Sequence, residues 1–257
     1  SPKELIETYS ADSIRYWAAN ARLGTDTFFD VQEMMDSSKR LITKLWNSSK
    51  FVISHLFDFD PLYQPKCILP VDRWIIERTN ETVIDASKWL NEYEIGLARK
   101  VIDDLFWKDL CDYYIEIVKE RLYQPEKHGT EERKSAQYAI YYCLLTILKM
   151  YAIYIPHETE YIYIKGLKEF VGNISIHLTE WPSPTALDQD ILAFGQALKQ
   201  AISEVRKYKS ENNMSMKSEI NETDVVCNVK FKKWFIESEK DFCACTKVKK
   251  INYILVE

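Results

Sequence analysis

The chain has 257 residues, of which 46% are hydrophobic and 28% charged, enough to bury one good-sized core with a small second unit beside it. Six glycines are too few for a doubly wound nucleotide fold, which needs them at its phosphate turns, and no apolar run approaches the roughly 18 residues that span a bilayer. A formal charge of -5 argues against nucleic-acid binding by the whole surface but leaves room for a local basic face.

In chain order, Ile14, Trp17, Ala18 and Ala21 recur at helical spacing behind Asp12, which can start the helix. Gly24-Thr25-Asp26 breaks the pattern. A long helix is expected over about 31–57, with Leu41, Leu45, Val52 and Leu56 on one face, and Pro61, Pro65 and Pro70 then mark an extended connection. Asp72 begins a helix carrying Trp74, Ile75, Val83, Ala86 and Leu90. Another follows Asn91, with Ile95, Ala98, Ile102, Leu105, Phe106, Tyr113 and Ile117. A loop with Pro125 and Gly129 precedes a helix over 131–154. Long helices joined by short turns favour an antiparallel helical bundle, expected over residues 1–183. Residues 184–257 read as one more helix over 188–208 and a small α/β tail, with β-branched runs at Val225-Val226 and Ile251 to Val256 around a helical stretch near 228–240. The expected class is mainly α.

Chemistry-bearing clusters are sparse. Cys67, Cys111, Cys143, Cys227, Cys243 and Cys245 form no C-x-x-C pair, so neither a disulfide framework nor a metal site is expected. Cys111 and Cys143 read as buried free thiols. His55, His128, His157 and His177 are dispersed. Asp103-Asp104 and the pair Asp58/Asp60 read as solvated carboxylates, and no catalytic residue is assigned.

The most informative stretch is 40–56. At 100° per residue Leu41, Ile42, Leu45, Val52 and Leu56 gather on one side, while Arg40, Lys44, Asn47 and Phe51 gather on the other, with Thr43 and Lys50 flanking. Two cations, an amide and a phenyl ring on one polar stripe could stack and clamp unstacked RNA, or Phe51 could simply pack on a neighbouring helix. Periodicity leaves both open.

Five motifs now add a resemblance. Ser10-Ala11-Asp12-Ser13-Ile14-Arg15-Tyr16-Trp17 resembles the segment that follows the KMSKS loop in class I aminoacyl-tRNA synthetases of the valine, isoleucine and leucine group, and Leu23-Gly24-Thr25-Asp26 looks like the valine member. Lys44-Leu45-Trp46-Asn47-Ser48-Ser49-Lys50-Phe51 is similar to the valine "K-L-W-N-A-A/S-R-F" motif, with Lys50 where arginine is commoner. Asp72-Arg73-Trp74-Ile75, Ser175-Ile176-His177-Leu178 with Trp181-Pro182, and Val205-Arg206 follow in the family's order. Where the family has "P-F-I-T-E-E-L-W", Pro156, Thr159 and Glu160 remain but the tryptophan is missing; Thr159 and Glu160 are expected to start a helix.

The resemblance implies an anticodon-binding bundle docking a tRNA anticodon stem-loop through Arg40, Lys44, Trp46, Asn47, Lys50 and Phe51, with help from Arg73. It also implies a cytoplasmic, monomeric parent whose separate catalytic domain uses ATP and magnesium, and no cofactor here. The chain has no H-x-G-H, and Met214-Ser215-Met216-Lys217-Ser218 lacks the leading lysine of KMSKS and lies on the wrong side of the bundle, so these residues alone are expected to be inactive. A rival from another class is a helical protein-interaction module; the charge around Phe51 discriminates, since an RNA face stays electropositive and a protein groove is ringed by apolar side chains.

Overall fold

The apolar repeats fold into helices close to where their periodicity puts them. The structure, a computed structural model, describes residues 2–256 apart from Arg22, Leu23, Thr25, Thr27, Gln64 and Lys66. Leu23 and Thr25 of the valine-like Leu23–Asp26 stretch therefore lie outside the described residues. The class is mainly α with a small α/β element near the C-terminal end, as expected.

Two compact units divide the chain. The first comprises Ser1–Leu62, Thr79–Lys108 and Tyr141–Thr185, and the second Tyr63–Arg78, Asp109–Ile140 and Ala186–Glu257. The second unit takes in two earlier stretches besides the residues from Ala186 onward. Helices α4 (Pro70–Asn91) and α8 (Thr130–Tyr151) give residues to both units, as does a π-helical run over Leu105–Tyr114.

The first unit also holds α1 (Pro2–Thr8), α2 (Ala11–Ala18), α3 (Val31–Ser54), α5 (Ile95–Asp104), α9 (Pro156–Gly166) and α10 (Lys168–Val171). Asp30 caps α3, accepting from the Glu33 N–H at 2.9 Å. Met34, Leu41, Leu45 and Val52 on α3 are fully buried, with Ala98 and Ile102 on α5 and Cys143 and Ile147 on α8. At Gly166 a side chain would meet Ile53, its Cβ falling 2.2 Å from Cδ1, so this glycine lets α9 approach α3 closely.

Asp12 departs from expectation. The cap of α2 is Ser10, whose hydroxyl accepts from the Ser13 N–H. Asp12 is buried and instead accepts from the backbone N–H groups of His157 and Glu158 at 3.0 and 2.8 Å, capping α9, whose own Ile155 offers no side-chain acceptor. Glu160 does not start that helix either: its carboxylate accepts from the Ile176 N–H and the Ser175 hydroxyl, holding the turn near the end of the unit. Thr159 turns back onto the Ile155 carbonyl.

The second unit holds α6 (Ile115–Tyr123), α7 (Pro125–His128), α11 (Gln189–Glu211), β1 (Ile220–Asn228), α12 (Lys232–Glu237), α13 (Glu239–Thr246) and β2 (Val248–Val256). β1 and β2 pair in parallel, Thr223 opposite Ile251 and Val225 opposite Tyr253. Parallel strands need a crossover, which α12 and α13 supply. The Met214–Ser218 stretch is the loop before β1. Its shape is set by Lys209, whose buried ammonium donates to the carbonyls of Met216, Ser218 and Thr246 at 2.9, 2.6 and 2.7 Å.

Asp72 sits in the first turn of α4, which begins at Pro70. It is fully buried and accepts from Tyr114 Oη, Ser135 Oγ and both Arg121 terminal nitrogens, while Arg121 also pairs with Asp241 of α13 at 3.0 Å. A buried guanidinium between two carboxylates satisfies charges that would otherwise be costly in this interior. Burial raises the Asp241 carboxyl to about 6, against the pull of Arg121.

Candidate nucleic-acid interface

α3 is 24 residues long, and its two faces behave differently along their length. Its buried stripe is Met34, Ser38, Leu41, Leu45, Ser48, Ser49 and Val52, at the i, i+3 and i+4 steps that keep one side of a helix inward. Ile42 is only partly covered. On the opposite side Asp36, Lys39, Arg40, Thr43, Lys44 and Asn47 are all exposed and line one open groove of ≈ 600 Å³. Arg40, Lys44 and Asn47, expected together, are thus together. Lys39, Arg40 and Lys44 have no acidic partner among the described residues, and Asp36, which accepts from Gln32 Nε2, is the one carboxylate on the groove wall.

The opposite wall is Trp107. It follows directly from α5, where the helix passes into i→i+5 geometry at Leu105. Leu105 and Phe106 are fully buried, whereas Trp107 is half-buried and Lys108 exposed. The Phe106 and Trp107 rings meet edge-to-face with centroids 5.3 Å apart, so a core ring steadies the groove ring. Sequence periodicity places Phe106 in the core pattern and gives Trp107 no role. Its signal was an aromatic lying off the buried stripe, the same signal that singled out Phe51.

Phe51 itself is a departure. It lies on the predicted stripe, but it is half-buried and its ring stands 4.7 Å from that of His55, itself buried one turn further on. An aromatic at i can meet a ring at i+4 on the same helix, as these two do. It does not line the groove. Trp46 is also half-buried, against Tyr161 of α9 at 5.5 Å, and exposed Lys50 reaches over its ring at 6.0 Å. Trp46 and Lys50 therefore sit together beside α9, and neither lines the groove. Arg73 belongs to the second unit, where it pairs with Asp188 at 2.7 Å and lies 5.7 Å from the Trp234 ring. The structure gives it a partner of its own and does not bring it to the groove's lining.

Asp103, expected on a solvated face, is covered instead. Tyr16 and Tyr151 donate to its two oxygens at 2.9 and 2.7 Å, Arg99 lies 3.5 Å away, and burial raises its carboxyl above the usual range. This cluster secures the end of α5 immediately before the π-helical turn that presents Trp107. Cys111 and Cys143 are buried and joined in no disulfide, and among the described residues no cluster of His, Cys, Asp or Glu could hold a metal ion. His55 and His128 are buried and His157 stands exposed beside Asp12. No helix among the described residues is long and apolar enough to cross a membrane.

Residues 72–227 match the family described as the anticodon-binding domain of tRNA ligase. The chain is similar to the valine–tRNA ligases of a Wolbachia from Brugia malayi (34% identity over 90% of the chain), Thermococcus kodakarensis (29% over 99%) and Rickettsia conorii (35% over 87%). It spans 26–28% of the length of these relatives. Among solved structures, 75% of the chain superposes on 21% of a leucyl-tRNA synthetase chain from Agrobacterium radiobacter, crystallised as a ternary complex with tRNA, with a TM-score of 0.53 at 11% identity, a likeness of fold.

Proposed function

The chain belongs to the anticodon-binding domain family of tRNA ligases, and from that premise we propose that its Arg40–Lys44–Asn47 groove docks the anticodon stem-loop of a tRNA, within a valine–tRNA ligase. The observation that carries this reading is a single groove, in a chain of formal charge -5, where three cations without acidic partners among the described residues stand over one carboxylate. Lysine and arginine so placed position phosphates, and an exposed amide beside them can bond base edges. A protein-binding groove would be ringed by apolar side chains; this one is ringed by charge. The likeness to valine–tRNA ligases supports valine as the amino acid.

Amino-acid activation, with its ATP and magnesium, belongs in this reading to the larger part of such a ligase that the chain does not match. The domain's contribution is to set the register of the tRNA, so that its acceptor end reaches a distant active site, and to reject tRNAs with other anticodons. The chain alone is expected to bind tRNA without aminoacylating it.

The test is a titration of the chain with valine tRNA and with the same tRNA carrying an altered anticodon, at several salt concentrations. Valine tRNA should bind more tightly, with a slope of log affinity against log salt near -0.7 per single-stranded phosphate engaged. Arg40→Ala with Lys44→Ala should flatten that slope by more than about one unit. Equal binding of both tRNAs, insensitive to salt, would remove the reading role.

A further inference from the structure

We propose that Trp107 is the stacking surface for one unpaired base of the bound RNA loop, facing the Arg40–Lys44–Asn47 stripe across the groove. The inference rests on the tRNA reading above and assigns the ring that reading lacks. Three observations lead to it. Phe51, the aromatic on the cationic stripe itself, is half-buried against His55 and outside the groove lining. Among the described residues Trp107 is the one aromatic side chain lining that groove, and it is half-buried rather than sunk in the core. It is also held in place: buried Phe106 meets it edge-to-face, and the helix that carries it turns π-helical two residues earlier, at Leu105. π-helical turns cost backbone hydrogen-bond geometry and recur at functional sites because they re-aim side chains.

The chemistry of the groove fits one nucleotide at a time. An indole offers the largest π-face of any side chain and every base has a matching one, so stacking holds the base whatever its identity. Asn47 on the facing helix then supplies a donor and an acceptor that can distinguish base edges. Arg40 and Lys44, one turn apart, meet the flanking phosphates. Stacking supplies affinity, the amide supplies choice, and the cations fix register.

The experiment uses the full chain and an anticodon stem-loop RNA, with a series of stem-loops each carrying one abasic loop position. Trp107→Ala is expected to weaken the intact stem-loop about ten-fold or more, and Trp107→Phe, which keeps a ring, by much less. One abasic position should weaken wild-type binding to the same extent and leave Trp107→Ala no further loss. Far-ultraviolet circular dichroism checks that each variant keeps its helices. If Trp107→Ala does not fold, wild type and Trp107→Phe against the abasic series carry the test. Binding by Trp107→Ala within about two-fold of wild type, while Arg40→Ala with Lys44→Ala still loses affinity, refutes the stack and leaves the docking groove standing. An abasic series in which no position costs more than about two-fold refutes it equally. Loss of neither cation nor ring having an effect overturns the docking reading and this inference with it.

Discussion

Gly195 offers a substitution for which two general rules predict opposite signs. It lies inside α11, where alanine is favoured over glycine by about 1 kcal/mol on helix propensity alone. Tertiary structure argues the other way. A Cβ built at Gly195 falls 1.8 Å from Cδ1 of Trp74, 2.2 Å from Nε1 and 2.3 Å from Cγ. Ordinary carbon contacts sit at about 3.5–4.0 Å, so the indole or the helix must retreat by about 1.5 Å or more. Trp74 is fully buried, with the Tyr114 ring centroid 6.5 Å away and the Lys199 ammonium 5.8 Å over its face, so it has little room to yield. Overpacking of this kind costs about 1–3 kcal/mol, and a flat, rigid ring struck at three atoms belongs at the upper end. Subtracting the propensity gain leaves Gly195→Ala destabilised by about 2 kcal/mol, read as a lowered urea midpoint at unchanged slope. Trp74→Leu makes room, so the double variant should lose less than the sum of the two single losses. Stabilisation of Gly195→Ala by about 1 kcal/mol would show that no indole lies against that turn of helix, and the reasoning would fail.

Other expectations follow from polar groups buried far from their sequence neighbours. Asp12→Ala should cost about 1–2 kcal/mol, because two N–H groups of α9 lose their acceptor, and hydrogen exchange should quicken at Glu158; unchanged protection there would deny the capping role. Lys209→Met should destabilise by a few kcal/mol by leaving the Met216, Ser218 and Thr246 carbonyls without their shared donor, and proteolysis should then cut near Met214–Ser218 faster than in wild type. For Asp241, faced by Arg121, Asp72 and His128, the folded carboxyl titrates at about 6 against a reference of 3.8, so the native state holds the proton more tightly. Its contribution is fully present below about 4 and is lost as pH rises through 6, so wild-type stability should fall over that window relative to Asp241→Asn. Parallel denaturation profiles of the two proteins between those pH values would contradict this.

Periodicity sufficed to locate the long helices and to sort α3 into a buried stripe and a cationic one, because the azimuth of a side chain on its own helix depends only on residue spacing. The order of the motifs from Asp12 to Arg206 likewise identified the family, and Arg40, Lys44 and Asn47 emerged together because they share one helix. Tertiary structure decided everything that depends on a second element. Trp107 faces those three residues across sixty or more positions of chain, and no spacing rule connects them. Asp12 looked like a cap for the helix it belongs to and caps α9, 145 residues away, while Asp103 looked solvated and is covered by Tyr16 and Tyr151. Phe51 shows the same limit from within one helix: residue spacing gives its direction, but its half-burial depends on how that end of α3 is packed, where His55 is buried and meets its ring. Local backbone geometry sets where a side chain points, and only the folded chain sets what stands opposite it.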